Sequence, residues 1–116
     1  MLLFSCKEVI KQEVKVEHCI NFEEVDLLAS IIMAECSLCS EEEMYLVGST
    51  ILNRVDNPDF PNTIKQVVYE PEQYQAKSSP WFEATPKTQK VALNLLIGRG
   101  RNKDILYFYR PRDAPY

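Results

Sequence analysis

Glu35 is the residue in this chain best placed for acid–base chemistry. It closes a run of mostly apolar residues, Asp26-Leu-Leu-Ala-Ser-Ile-Ile-Met-Ala34. Leu28, Ile31, Ile32 and Glu35 recur at helical spacings of three and four, so the carboxylate extends a stripe that should face the core. A carboxyl group in that position loses hydration, which disfavours its ionised form and raises its pKa toward the range of a general acid. Taken alone, the same residue also fits a solvent-facing Glu where a helix gives way to a loop.

The second set of reactive side chains is Cys6, Cys19, Cys36 and Cys39, with the single histidine, His18, beside Cys19. Only Cys36-Ser-Leu-Cys39 has a short metal-type spacing, whereas a structural zinc site usually pairs two of them. A thioredoxin-like pair should lie near a strand–helix unit, but the residues before Cys36 read as helix. The expectation is therefore no metal, and reduced, partly buried thiols in a protein made in a reducing cytosol.

The elements that would position Glu35 can be read from their caps. Asn21, with Glu24 three residues on, opens a helix that should end near Cys36. Ser40-Glu-Glu-Glu43 starts a second one, running to about Val55, with Met44, Val47, Gly48, Ile51 and Val55 on its apolar face. Gly48 would let a neighbouring helix come close. Asp56-Asn-Pro-Asp-Phe-Pro-Asn62 must be a loop, pinned to the core by Phe60. Thr63–Tyr69 reads as a short helix stopped by Pro71. Trp81 and Phe82 supply an aromatic anchor, and Thr85-Pro86 opens a helix with Val91, Ala92, Leu95 and Leu96 as its stripe and Gly98 as its end. Gln73-Tyr-Gln-Ala76 and Ile105-Leu-Tyr-Phe-Tyr109 are strand-like, the latter ended by Pro111. The fold class expected is α+β, a helix-rich single domain with a small antiparallel β-sheet.

Composition restricts the function. The 116 residues, 46% of them apolar, suffice for one compact domain with a core of its own. Residues 1–20, where Lys7–Glu17 alternates charged residues with Val9, Ile10, Val14 and Val16, form a peripheral segment, leaving 21–116 as the domain. A net charge of -4 with scattered basic residues gives no stripe for a nucleic-acid backbone, so nucleic acid is not expected as a partner. No apolar run is long enough to span a bilayer, and Met1–Cys6 lacks the basic leader and hydrophobic region of a signal peptide.

Four separated patterns resemble the SleB-type cell wall hydrolases, the spore-cortex-lytic family also found in bacteriophages. They are Ile32-Met-Ala-Glu35; Ile51-Leu-Asn-Arg54 with Phe60-Pro-Asn-Thr-Ile64; Val68-Tyr-Glu-Pro-Glu-Gln-Tyr-Gln75; and Leu106-Tyr-Phe-Tyr109 with Pro111. Their order, and the spacing between the first two, is the family's. The resemblance implies a lysozyme-like fold and cleavage of peptidoglycan glycan strands between N-acetylmuramic acid and N-acetylglucosamine. Glu35 matches the catalytic glutamate, and no metal or organic cofactor is implied. The chain departs from the family pattern at Cys36-Ser-Leu-Cys39, where Ala-Arg-Gly-Glu is usual, and at Glu43-Met44, where Gly-Gln is common.

As in lytic transglycosylases, the resemblance implies one glutamate that serves first as acid and then as base, giving a 1,6-anhydro product. A hydrolytic muramidase drawing on Glu41, Glu42, Glu70, Glu72 or Asp104 is the near alternative. A non-catalytic glycan-binding or structural module, for instance in a phage particle, is the more distant one. Gln73, Tyr74, Gln75, Tyr107 and Tyr109 are the expected substrate-binding residues: amides both donate to and accept from sugar groups, and aromatic faces cover pyranose rings. Tyr107 and Tyr109 also fit the outer face of a sheet. Without an export signal, such a protein would reach the cell wall at lysis, through a membrane pore, from a virion or in a spore-forming cell.

Overall fold

The computed structural model describes residues 20–70, 74, 80 and 82–107. The peripheral segment expected at 1–20 therefore lies outside the described residues except for Ile20, which packs against the core.

Four helices account for most of the described chain: α1 (Phe22–Cys36), α2 (Glu41–Val55), α3 (Ile64–Val68) and α4 (Pro86–Leu96). Their starts follow from local side chains. The Asn21 side chain accepts from the Glu23 amide at 2.9 Å and the Glu24 amide at 3.4 Å. Ser40 and Glu43 form a reciprocal capping box, Ser40 Oγ accepting from the Glu43 amide and Glu43 Oε1 from the Ser40 amide, both at 3.2 Å. Thr63 caps α3 through the Gln66 amide. Thr85 caps α4 through the Thr88 amide, with Pro86 in the first turn, where its missing N–H costs nothing. Gly98, at φ 91°, follows the end of α4 in the left-handed conformation that a glycine adopts without strain.

Packing follows the apolar stripes. α1 lies against α2, α3 and α4, and α2 also contacts α3 and α4. Leu28, Ile31 and Ile32 of α1, Val47 and Ile51 of α2, and Val91 and Leu95 of α4 are fully buried together. Gly48 sits where α2 meets both neighbours: a Cβ there would overlap the Leu95 side chain and stand 3.1 Å from Ile32. The expected close approach is therefore a three-helix contact. Phe82 packs at the margin of the core, while Trp81 lies outside the described residues.

The expected antiparallel sheet is not found: no strand occurs among the described residues. Among the described residues Ile105, Leu106 and Tyr107 have no strand partner, and α2 side chains take the carbonyls that a ladder would have used. Asn53 Nδ2 donates to the carbonyls of Asn102 and Ile105, both at 2.7 Å, and Arg54 Nε to that of Leu106 at 2.8 Å. Strand propensity measures how well side chains suit a half-buried surface, and a chain segment laid on a helix satisfies it as well as a sheet does. Of the other expected strand, only Tyr74 is described, and it is not in a strand.

Candidate functional site

Glu35 occupies the last full turn of α1, at the end of the buried stripe, and is half-buried. The turn that follows it is closed covalently: Cys36, 1% exposed, and Cys39 form a disulfide across a separation of three residues. This corrects the expectation of reduced thiols for Cys36 and Cys39; Cys6 and Cys19 lie outside the described residues. An i, i+3 pair at a helix end brings its two Cα atoms to 5.0 Å, inside the range a disulfide spans. The Cys39 amide also donates to the Cys36 carbonyl at 3.1 Å, and Leu38 at the tip of the turn is 94% exposed.

Across from α1, the polar edge of α2 organises the remainder of the site. Ser49, Asn53 and Arg54 are buried. Ser49 Oγ accepts from the Asn102 amide at 2.9 Å, and Asn53 Oδ1 accepts from Arg101 Nε at 2.8 Å. Arg101 in turn reaches Asp56 at 2.6 Å. Asn53 thereby uses both its donors and its acceptor, as a buried amide must if it is not to forfeit hydration without return.

Arg54 makes a second kind of contact. Its guanidinium carbon lies 5.1 Å from the ring centre of Phe60, 5.4 Å from that of Tyr74 and 5.1 Å from that of Tyr107, all within cation–π reach. Phe60 thus pins the 56–62 loop to a cation and not to the apolar core. Tyr74 is buried, and burial pushes its hydroxyl pKa up to about 12; the Arg54 charge pulls it down and the Glu35 charge pushes it up. The Tyr74 phenol is therefore a neutral hydrogen-bonding group at physiological pH, within the electrostatic influence of both Glu35 and Arg54. Tyr107 is 66% exposed on the same guanidinium.

Of the site residues expected from the sequence, Tyr74 and Tyr107 meet at Arg54 and the Glu35 charge acts on Tyr74, while Gln73, Gln75 and Tyr109 lie outside the described residues. Asn53 and Arg54 were legible only as part of a motif. The signal that could have singled them out is polar side chains, Ser49 and Asn53 four apart with Arg54 next to them, in a helix otherwise rich in buried positions. Two open depressions of about 560 and 580 Å³ flank the loop after α2. The larger is lined by Asn53, Asp56, Arg101, Lys103, Asp104 and Leu106 among others, and neither is lined by Glu35. Both are too open for their volume to define a ligand site, so the side-chain chemistry around Glu35 is the better guide.

The fold and these side chains define a broad class: a small helical domain that holds a half-buried carboxylate whose charge acts on a buried phenol. Comparison with known proteins makes the class specific. Residues 39–116 match the family model described as Cell Wall Hydrolase, and the chain belongs to that family. Glu35 stands just before the matched residues. The chain is 31% identical over 97 residues to a spore cortex-lytic enzyme of Bacillus cereus, covering 78% of this chain and 36% of the relative. It is 27% identical over 93 residues to the spore cortex-lytic enzyme of Oceanobacillus iheyensis, covering 78% and 34%. It is also 31% identical over 101 residues to the cell wall hydrolase CwlJ of Bacillus subtilis, covering 79% and 71%. The chain thus spans about a third of the length of the spore cortex-lytic relatives. No solved structure matches it.

Proposed function

We propose that this chain degrades peptidoglycan by cleaving the bond between N-acetylmuramic acid and N-acetylglucosamine, with Glu35 as the general acid. The observation that carries this is the position of Glu35: a half-buried carboxylate ends the core stripe of α1, and its charge acts on the buried Tyr74 hydroxyl. Membership of the cell wall hydrolase family supplies the substrate class. Protonated Glu35 gives its proton to the glycosidic oxygen as the bond to the anomeric carbon breaks. The carboxylate then takes the proton of the muramic acid C6 hydroxyl as that oxygen closes on the anomeric carbon, leaving a 1,6-anhydro end. No further carboxylate takes part. Tyr107 offers an aromatic face to a pyranose ring, and Gln73, Gln75 and Tyr109 remain proposed glycan contacts on the strength of the family pattern. The site of action is the cell wall or spore cortex, as the names of the relatives suggest for them.

The test is Glu35→Gln, which keeps the shape of the side chain but has no acidic proton. Turnover of purified peptidoglycan should fall by about 10²–10⁴-fold with the circular dichroism spectrum unchanged. A loss below tenfold would move the acid elsewhere. Mass spectrometry of the digest reports the outcome: an anhydro-muramic end supports the single-glutamate route, and a reducing end supports hydrolysis by a muramidase.

A further inference from the structure

A guanidinium withdrawn from water is costly unless its charge and donors are engaged, and Arg54 is only 6% exposed. Three rings surround it, and they come from three different parts of the chain: the loop after α2, residue 74, and the segment that follows α4. Its Nε meanwhile holds the Leu106 carbonyl, one residue before Tyr107. The rings differ in what they leave free. Tyr74 is buried at 7% exposure, whereas Tyr107 keeps 66% of its surface open while resting on the cation.

We propose that Arg54 is a positioning residue of the site: it fixes the backbone and ring of Tyr107 as a platform for a glycan pyranose at a set place relative to Glu35, without touching the sugar itself. The inference rests on the reading of Glu35 as the acid of glycan cleavage. Its physical basis is preorganisation. An exposed tyrosine has rotamer freedom to lose on binding, and a ring already stacked on a cation has less. The guanidinium is suited to this because it is planar and donates from its edge while presenting its faces to rings; an ammonium has the charge but no face.

Binding to insoluble peptidoglycan sacculi, read by co-sedimentation in the Glu35→Gln background, separates this role from catalysis. Arg54→Lys should weaken the apparent affinity roughly tenfold, the scale of one desolvated cation–π contact. In a Tyr107→Ala protein the same change should cost nothing more, because the residue through which Arg54 acts is gone. An unaltered affinity for Arg54→Lys overturns the proposal. So does a loss that adds in full to that of Tyr107→Ala, or failure of the Glu35→Gln parent to bind sacculi. Should Arg54→Lys fail to fold, Phe60→Leu removes one ring of the cage and leaves Arg54 in place. It should weaken binding about threefold, again only when Tyr107 is present, and an unchanged affinity overturns the proposal equally. Release of soluble glycan by the Glu35→Gln protein at more than about a tenth of the parent rate would overturn the acid assignment alone, since the cycle is read from bound protein and not from turnover.

Discussion

The two ends of α2 are secured by different chemistry. At its start, the turn and the cap are made by residues close in sequence: the Cys36–Cys39 disulfide closes the turn from α1, and Ser40 and Glu43 cap each other. At its finish, Ser49, Asn53 and Arg54 hold residues 48 to 53 positions away through hydrogen bonds to backbone and to Arg101. The first end is a local device that fixes the turn beside Glu35. The second brings together the segment carrying Tyr107. The candidate site between them draws on one closure made by neighbours in sequence and on another made only when the chain has folded back on itself.

Asn53→Leu tests the distant closure and should have the largest effect. It strips donors from the Asn102 and Ile105 carbonyls and an acceptor from Arg101, and groups left unpaired at such part-buried positions cost about 1 kcal/mol each, the low end of the range. A loss of about 3 kcal/mol is expected in denaturant unfolding. A loss under 1 kcal/mol would mean that water replaces the amide and that this end is less decisive than the comparison holds.

Alkaline pH probes the same end. Tyr74 has its pKa raised from the usual 10.0 to about 12, mainly by burial, so above pH 10 the unfolded chain releases a proton that the folded chain keeps. The corresponding stability is fully present below pH 10 and is lost as pH rises to about 12. It amounts to about 2–3 kcal/mol. Tyr74→Phe should flatten that part of the pH–stability curve. An unchanged slope would show that Tyr74 titrates normally.

Reduction acts only on the local end. Opening a loop as short as Cys36–Cys39 should cost about 2 kcal/mol by the chain-entropy argument, and Cys36→Ser/Cys39→Ser should reproduce that loss and become insensitive to reductant. Equal stability with and without reductant in the parent protein would show that this turn is held by its caps alone.

The smallest effect is expected from Lys90→Ala. The Lys90–Glu41 pair, at 2.8 Å, ties α4 to the first turn of α2 across an exposed surface. The hydrogen bond between them lowers the Glu41 pKa and raises that of Lys90, but solvent and salt screen such a pair. No change in melting temperature should be detectable at moderate salt, and a clear drop would promote this contact to a structural one.

The sequence by itself determined what depends on neighbours a few residues apart. Asn21, Ser40, Thr63 and Thr85 announce four helix starts because a cap is formed within one turn, and the stripes of Leu28, Ile31, Ile32 and of Val91, Ala92, Leu95 reveal buried faces because helical periodicity is local. Glu35 was legible for the same reason, as a charge on one of those stripes. Tertiary structure alone decided the rest. Ile105–Tyr107 has the composition of a strand, but whether another strand or the polar edge of α2 takes its carbonyls depends on residues about fifty positions away. Phe60 is an aromatic in a loop, and only folding sets it against Arg54 instead of the core. The Cys-x-x-Cys spacing admits several chemistries, and the geometry of the turn selects one. In each case the residue types fix what an interaction could be, and the path of the chain fixes which partner is within reach.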